Sequence, residues 1–245
     1  MKILGIDPAP AKESIIFDGK EFFSKKPFEL KDFLEEKTKN SPYIIGWDAP
    51  LGDDFSKSLS QKPIEKILNN KSNYINEQKP PKGISTLPFS TCPHWSISQF
   101  TLGYPIVNYE IIDKSKLKYN LVQSKSDISQ TKPNVVEVHP AYTMWVWLKD
   151  NITEFKYKGS KESKANFKKI VRELFKLKIA KKYKNIEDLI INDDYLDSFV
   201  AYLIIEEFLQ SRAFIYGNKE SGAMLLPPLN DIIKEKTIKI LTNSR

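Results

Sequence analysis

The chain has 245 residues, 40% hydrophobic and 28% charged, enough apolar material for a real core and too much for a disordered polymer. No apolar run approaches the ~20 residues that cross a bilayer, and the apolar start that meets Asp7 is too short for a signal peptide. A cytoplasmic protein without a membrane partner is therefore expected. The single cysteine, Cys92, excludes an internal disulfide framework and a multi-cysteine zinc site. Net charge is +7 but unevenly spread: Lys149 to Lys184 holds thirteen Lys/Arg against four Asp/Glu, so the rest of the chain sums to −2. One basic tract on a near-neutral chain points to a polyanion such as nucleic acid.

Length and texture predict a single domain over 1–245. Residues 3–7 read as a buried strand closed by Pro8. Ser14–Phe17 and Glu21–Phe23 read as strands joined through Asp18-Gly19, a type I′ hairpin signal. Phe28–Lys39 has the spacing of a short amphipathic helix, and Tyr43–Asp48 is a second buried strand before Ala49-Pro50. The order β-β-β-α-β places the first and fourth strands side by side once the helix crosses over. From Phe55 to Pro133 prolines punctuate short apolar pieces, which predicts an insertion rather than a second core, placed to cap the site. Val135–Val138 is the next strand. Lys161–Lys182 is helical, Leu196–Leu209 a strongly apolar helix, Gly217–Pro228 a loop or hairpin return and Asp231–Leu241 a last helix.

Two strand ends echo one another. Gly5-Ile6-Asp7-Pro8 and Gly46-Trp47-Asp48-Ala49-Pro50 each follow an apolar run, with glycine two residues before aspartate. If the strands are parallel neighbours, both carboxylates emerge at the carboxyl edge of the sheet, where ligands bind in open α/β folds. Glu137 ends a third strand. Acids gathered there repel one another unless a cation lies between them, and all-oxygen ligands select Mg²⁺ or Mn²⁺. Asn192 or Asp193 would cap the late helix, whereas Asp197 lies a turn inside on the same face as Asp194 and could close the site. As ordinary structure, Asp7 and Asp48 would begin Pro turns and Glu137 would pair with a lysine. A Cys92/His94/His139 thiol hydrolase lacks an activating helix terminus for its cysteine. No glycine-rich phosphate loop is present.

These motifs, with Val136-Glu137-Val138-His139-Pro140, Asp194-x-x-Asp197-Ser198 and Glu220-Ser221-Gly222, resemble domain-of-unknown-function family 429, whose members are predicted nucleases of the RNase H-like fold. The resemblance implies an α/β mixed sheet, with an antiparallel three-strand meander plus parallel strands, flanking helices and the 55–133 insertion. It further implies a hydrolase cleaving nucleic acid, DNA or RNA, by two-metal hydrolysis. Asp7 would be the bridging ligand, with Asp48, Glu137 and Asp197 (and Asp194) completing a site for two Mg²⁺ or Mn²⁺ ions. Lys158, Lys161, Lys164 and Arg172 would hold phosphates, His139 would act from behind the ligands, and Trp95, Tyr104 and Trp145 could stack bases. The sequence departs from the family over Thr91–Gly103, where members often carry an arginine and an aspartate. A non-catalytic nucleic-acid-binding or regulatory protein on the same fold, and a nucleotide- or sugar-phosphate-processing enzyme, remain the alternatives. A homo-oligomer is compatible with the sequence.

Overall fold

A computed structural model describes residues 1–51, 63–74, 80, 94–103, 118–159, 163–217 and 223–236. Its centre is a six-stranded mixed sheet in the order β3-β2-β1-β4-β6-β5. The strands are β1 Lys2–Asp7, β2 Ser14–Phe17, β3 Phe22–Lys25, β4 Tyr43–Trp47, β5 Asn120–Leu121 and β6 Asn134–Glu137. β1, β2 and β3 form the antiparallel meander, and α1 (Pro27–Thr38) crosses over to bring β4 parallel to β1, the adjacency the element order predicts. β6 follows parallel to β4. Among the described residues no helix is long and apolar enough to cross a membrane.

Strand alternation sorts the sheet into two faces. Leu4, Ile6, Ile45, Trp47 and Val135 pack with Leu30 and Leu34 of α1 and with Ile97 and Leu102 of α3 (His94–Leu102). Trp47 Nε1 donates to Ser98 Oγ at 2.8 Å, tying α3 to that face. On the other face lies α7 (Asp193–Leu209), buried along almost its whole length. α4 (Pro140–Leu148), α5 (Ser163–Leu174) and α2 (Pro63–Asn69) join its core through Trp145, Ile170 and Ile64. The described parts of residues 55–133, expected as an insertion, thus enter both core layers. The rest of that segment, with Cys92, Tyr104 and the expected Glu220-Ser221-Gly222 motif, lies outside the described residues.

The two echoing glycines explain how α7 reaches the sheet. A Cβ at Gly5 would stand 2.1 Å from the Ser198 carbonyl oxygen and 2.3 Å from the Tyr202 nitrogen, and one at Gly46 would stand 2.5 Å from the Ala201 carbonyl oxygen. Helix backbone lies where side chains would otherwise project.

Several local expectations change. The first hairpin is not a type I′ turn. Phe17 pairs with Phe22, leaving a four-residue loop, and Gly19 takes a φ of +94° while Asp18 is not among the positive-φ residues. Asp18 Oδ1 accepts from the Lys20 and Glu21 amides, and the Phe17 and Phe22 rings meet at 4.7 Å, so side chains set the register. The Lys161–Lys182 helix is broken: α5 ends at Leu174 and α6 (Lys178–Lys181) begins after an extended Leu177. The break lets Phe175 stack on Phe199 at 5.3 Å while Ala180 stays buried. β5 was not expected. It is two residues long and held by Asn134, whose buried amide bonds Asn120 at 2.8 Å and the Tyr43 and Ser129 carbonyls. The return after α7 is a hairpin, β7 (Phe214–Tyr216) with β8 (Met224–Leu226), and residues 231–236 are helical. Trp145 is 1% exposed, between Tyr74 and Tyr142, and is therefore a core residue rather than a base-stacking one.

Gly5→Ala is expected to cost about 3 kcal/mol or more, the upper end of the usual overpacking range, because the obstructing atoms are backbone. Urea unfolding reads this as a lowered midpoint, and an unchanged midpoint would show that α7 has room to move away.

Candidate carboxylate site at the sheet edge

Asp7 ends β1, and Asp48 directly follows β4, its amide donating to the Ile6 carbonyl at 3.0 Å. β1 and β4 run in register from Lys2–Tyr43 to Ile6–Trp47. Asp7 and Asp48 therefore continue the row of Gly5 and Gly46 on the α7 face. Asp197 faces them from α7, fully buried. Asn192, not Asp193, caps this helix by accepting from the Tyr195 amide at 3.2 Å.

Among the described residues no hydrogen-bond donor reaches the carboxylate of Asp7 or Asp48. Burial raises the Asp7 pKa well above the usual range, and the charges of Asp48, Asp197 and Asp194 push the same way against Lys158. Asp48 is raised likewise, by burial first and then by Asp197 and Glu137, again opposed by Lys158. Neighbouring carboxylate charge thus adds to burial in raising both acids.

Asp197 is better provided for. Tyr157 donates its hydroxyl to Oδ1 at 2.8 Å, and Lys158 ion-pairs with Oδ2. Burial still raises its pKa, with Lys158 and Tyr157 working against that rise. Burial opposes the Lys158 charge, yet Asp197, Tyr157, Asp48 and Asp7 together carry its pKa well above normal.

The remaining expected residues divide. Glu137 arrives at the same edge but pairs with Trp47, not Asp48, so alternation sends it toward the α3 face with Val135. There its Oε2 accepts from the Leu51 amide at 2.7 Å. Asp194 is held by Lys12, both carboxylate oxygens at 2.6 Å from Nζ, which satisfies it at the helix N-terminus. His139 Nδ1 accepts from the Tyr142 amide at 3.3 Å and caps α4. Burial, then the Lys158 charge, pulls its pKa down to about 4, so the ring is neutral at pH 7. Lys164 and Arg172 lie exposed on α5, whose buried face carries Ile170, Val171 and Leu174. Lys161 and the Trp95 side chain lie outside the described residues.

The donor set of Asp7, Asp48 and Asp197 is all oxygen and carries more negative charge than one lysine offsets, which is the chemistry a divalent cation fits. As they stand, no three His, Cys, Asp or Glu side chains among the described residues form a group that could hold an ion. Lys158 supplies the positive charge at that place. Tyr157 and Lys12 are site residues that sequence reading missed, and no local pattern marks either.

Residues 109–221 match a family model. That family is described as a protein of unknown function, DUF429. The match is somewhat under half of the chain. It includes Glu137, His139, Tyr157, Lys158, Asp194 and Asp197, but not Asp7 and Asp48. No curated protein and no solved structure matches the chain.

A carboxyl group whose pKa is raised on folding stabilises the fold while protonated. That stability is fully present below the ordinary aspartate value of about 3.9 and is lost as pH rises through the elevated folded value. In chelator, wild-type stability should therefore decline toward neutral pH. Asp48→Asn should flatten the decline and unfold later at pH 7, and an unaltered pH profile would show that Asp48 carries no unoffset charge.

Proposed function

We propose that this chain is a DUF429-type protein throughout, on an RNase H-like fold, and that it is a metal-dependent nuclease or phosphodiesterase acting at the Asp7, Asp48 and Asp197 cluster. The observation that carries the reading is the pair of strand-end carboxylates, Asp7 and Asp48, brought side by side without a donor among the described residues and faced by a third from α7. Burying such groups is costly unless something positive comes between them. A residue type that merely closed a Pro turn would not need this arrangement.

Asp7, Asp48 and Asp197 would hold Mg²⁺ or Mn²⁺, while Glu137, turned to the opposite face, lies outside this ligand set. The chemistry such an ion would supply there is activation of water and stabilisation of the departing oxygen in phosphodiester hydrolysis. The chain's own part is position and charge. Gly5 and Gly46 set the depth of α7, and Tyr157 fixes the orientation of the Asp197 carboxylate. The Leu51 amide fixes Glu137. Lys164 and Arg172, with the exposed Lys168 between them, recur at every fourth position of α5 and so share one face. This stripe would hold phosphates without reading sequence.

A second reading has its own observation. Asp197 is paired with Lys158 and Asp194 with Lys12, the pattern of a cluster settled by its own cations. It would make the protein a nucleic-acid-binding module without catalysis.

Oligonucleotide cleavage in Mn²⁺ separates the two. Asp7→Asn and Asp197→Asn are each expected to lower the rate by more than about a hundredfold, beyond the loss seen when only a metal ligand's supporting partner is removed. Wild-type protein that cuts neither DNA nor RNA, single- or double-stranded, while the variants bind undiminished would favour the binding module.

Charge reversal at Lys164 and Arg172 should weaken binding to all sequences alike. It should also reduce the slope of log K against log salt by about 0.9 for each duplex phosphate that is no longer neutralised. An unchanged slope would remove α5 from the interface.

A further inference from the structure

The ion pair between Lys158 and Asp197 joins unequal partners. The Asp197 side chain is fully buried, whereas half of the Lys158 side chain is exposed. Tyr157, its neighbour, is 6% exposed and grips the other Asp197 oxygen at 2.8 Å. Two consecutive residues thus address one carboxylate: a buried hydroxyl anchored in the core and an ammonium reaching in from solvent. Removing the ammonium would leave Asp197 still oriented.

Gly159, the next residue, takes a φ of +83°, and no described residue lies within 4 Å of the position its Cβ would occupy. Lys158 also faces more negative charge than it can neutralise, since Asp7 and Asp48 act on it together with Asp197. One monovalent cation, its side chain half exposed, therefore faces three carboxylates.

We propose that Lys158 is a tethered counter-ion, its ammonium occupying the cation position of the cluster until a divalent ion displaces it toward solvent. This rests on reading the carboxylates as cation ligands. Lys158 offsets part of the cluster's negative charge while the ion is away, and its withdrawal opens Asp197 Oδ2 for coordination while Tyr157 holds Oδ1. The displaced ammonium then lies on the solvent side of the cluster, where it can meet a phosphate of the bound polyanion. Metal entry and phosphate binding would draw on the same lysine.

The test is Mn²⁺ binding by the full chain, followed by calorimetry and by the electron-spin signal of free Mn²⁺. Lys158→Met should bind Mn²⁺ about tenfold more tightly, a change of the size that supporting residues make at metal sites, and Lys158→Arg should stay near wild type. On the unaltered protein, Mn²⁺ should speed acetylation of Lys158 by an amine-reactive reagent, read by mass spectrometry, because the ammonium leaves its ion pair. That measurement decides the matter should Lys158→Met fail to fold. Unchanged acetylation with wild-type affinity in Lys158→Met overturns the counter-ion role, and leaves the carboxylate reading standing if Asp7→Asn weakens Mn²⁺ binding. Absence of Mn²⁺ binding in both wild type and Lys158→Met overturns both.

Discussion

The approach of the α7 backbone to the sheet is the contact on which the rest depends. Helix and strand backbones come this close only where the strands lack a Cβ, and both strands lack it at the same register position, Gly5 and Gly46. Residues two farther along each strand fall on the same face, so whatever follows each glycine by two is presented under the first turns of α7. Those residues are Asp7 and Asp48, and the helix residue beside them is Asp197. Packing geometry and candidate chemistry are thus fixed by one structural requirement.

That arrangement is electrostatically expensive. Carboxylates removed from water favour their neutral form, and each ionised neighbour adds to the effect. The chain answers in part. Asp197 receives a hydroxyl and an ammonium, Asp194 receives Lys12, and Glu137 receives a backbone amide. Asp7 and Asp48 share the Lys158 charge at a distance, without a donor among the described residues. The groups left least satisfied are those at the ends of the two central parallel strands. Strain of this kind is common at functional sites, where stability is given up to keep charged groups ready.

Much of this was legible from residues alone. The strand echo locates Asp7 and Asp48, because apolar runs closed by an acid and a proline are local signals, and the β-β-β-α-β order places β1 beside β4. What escaped depends on long-range register or on contacts between distant segments. Glu137 resembles the other strand-end acids, but a one-residue offset against β4 turns it toward the opposite face. Lys158 reads as one more member of a basic tract, whereas the fold carries it into the acidic cluster. Tyr157 reads as an ordinary aromatic. The Asp18-Gly19 turn follows local preference until the Phe17–Phe22 ring contact imposes a longer loop.

Anomalous diffraction from crystals soaked in Mn²⁺ bears most directly on the proposed role of the clustered acids. A peak within bonding reach of Asp7, Asp48 and Asp197, with the Lys158 ammonium moved away, is the predicted result. Saturating Mn²⁺ that leaves no peak there, with Lys158 still seated on Asp197, would contradict it.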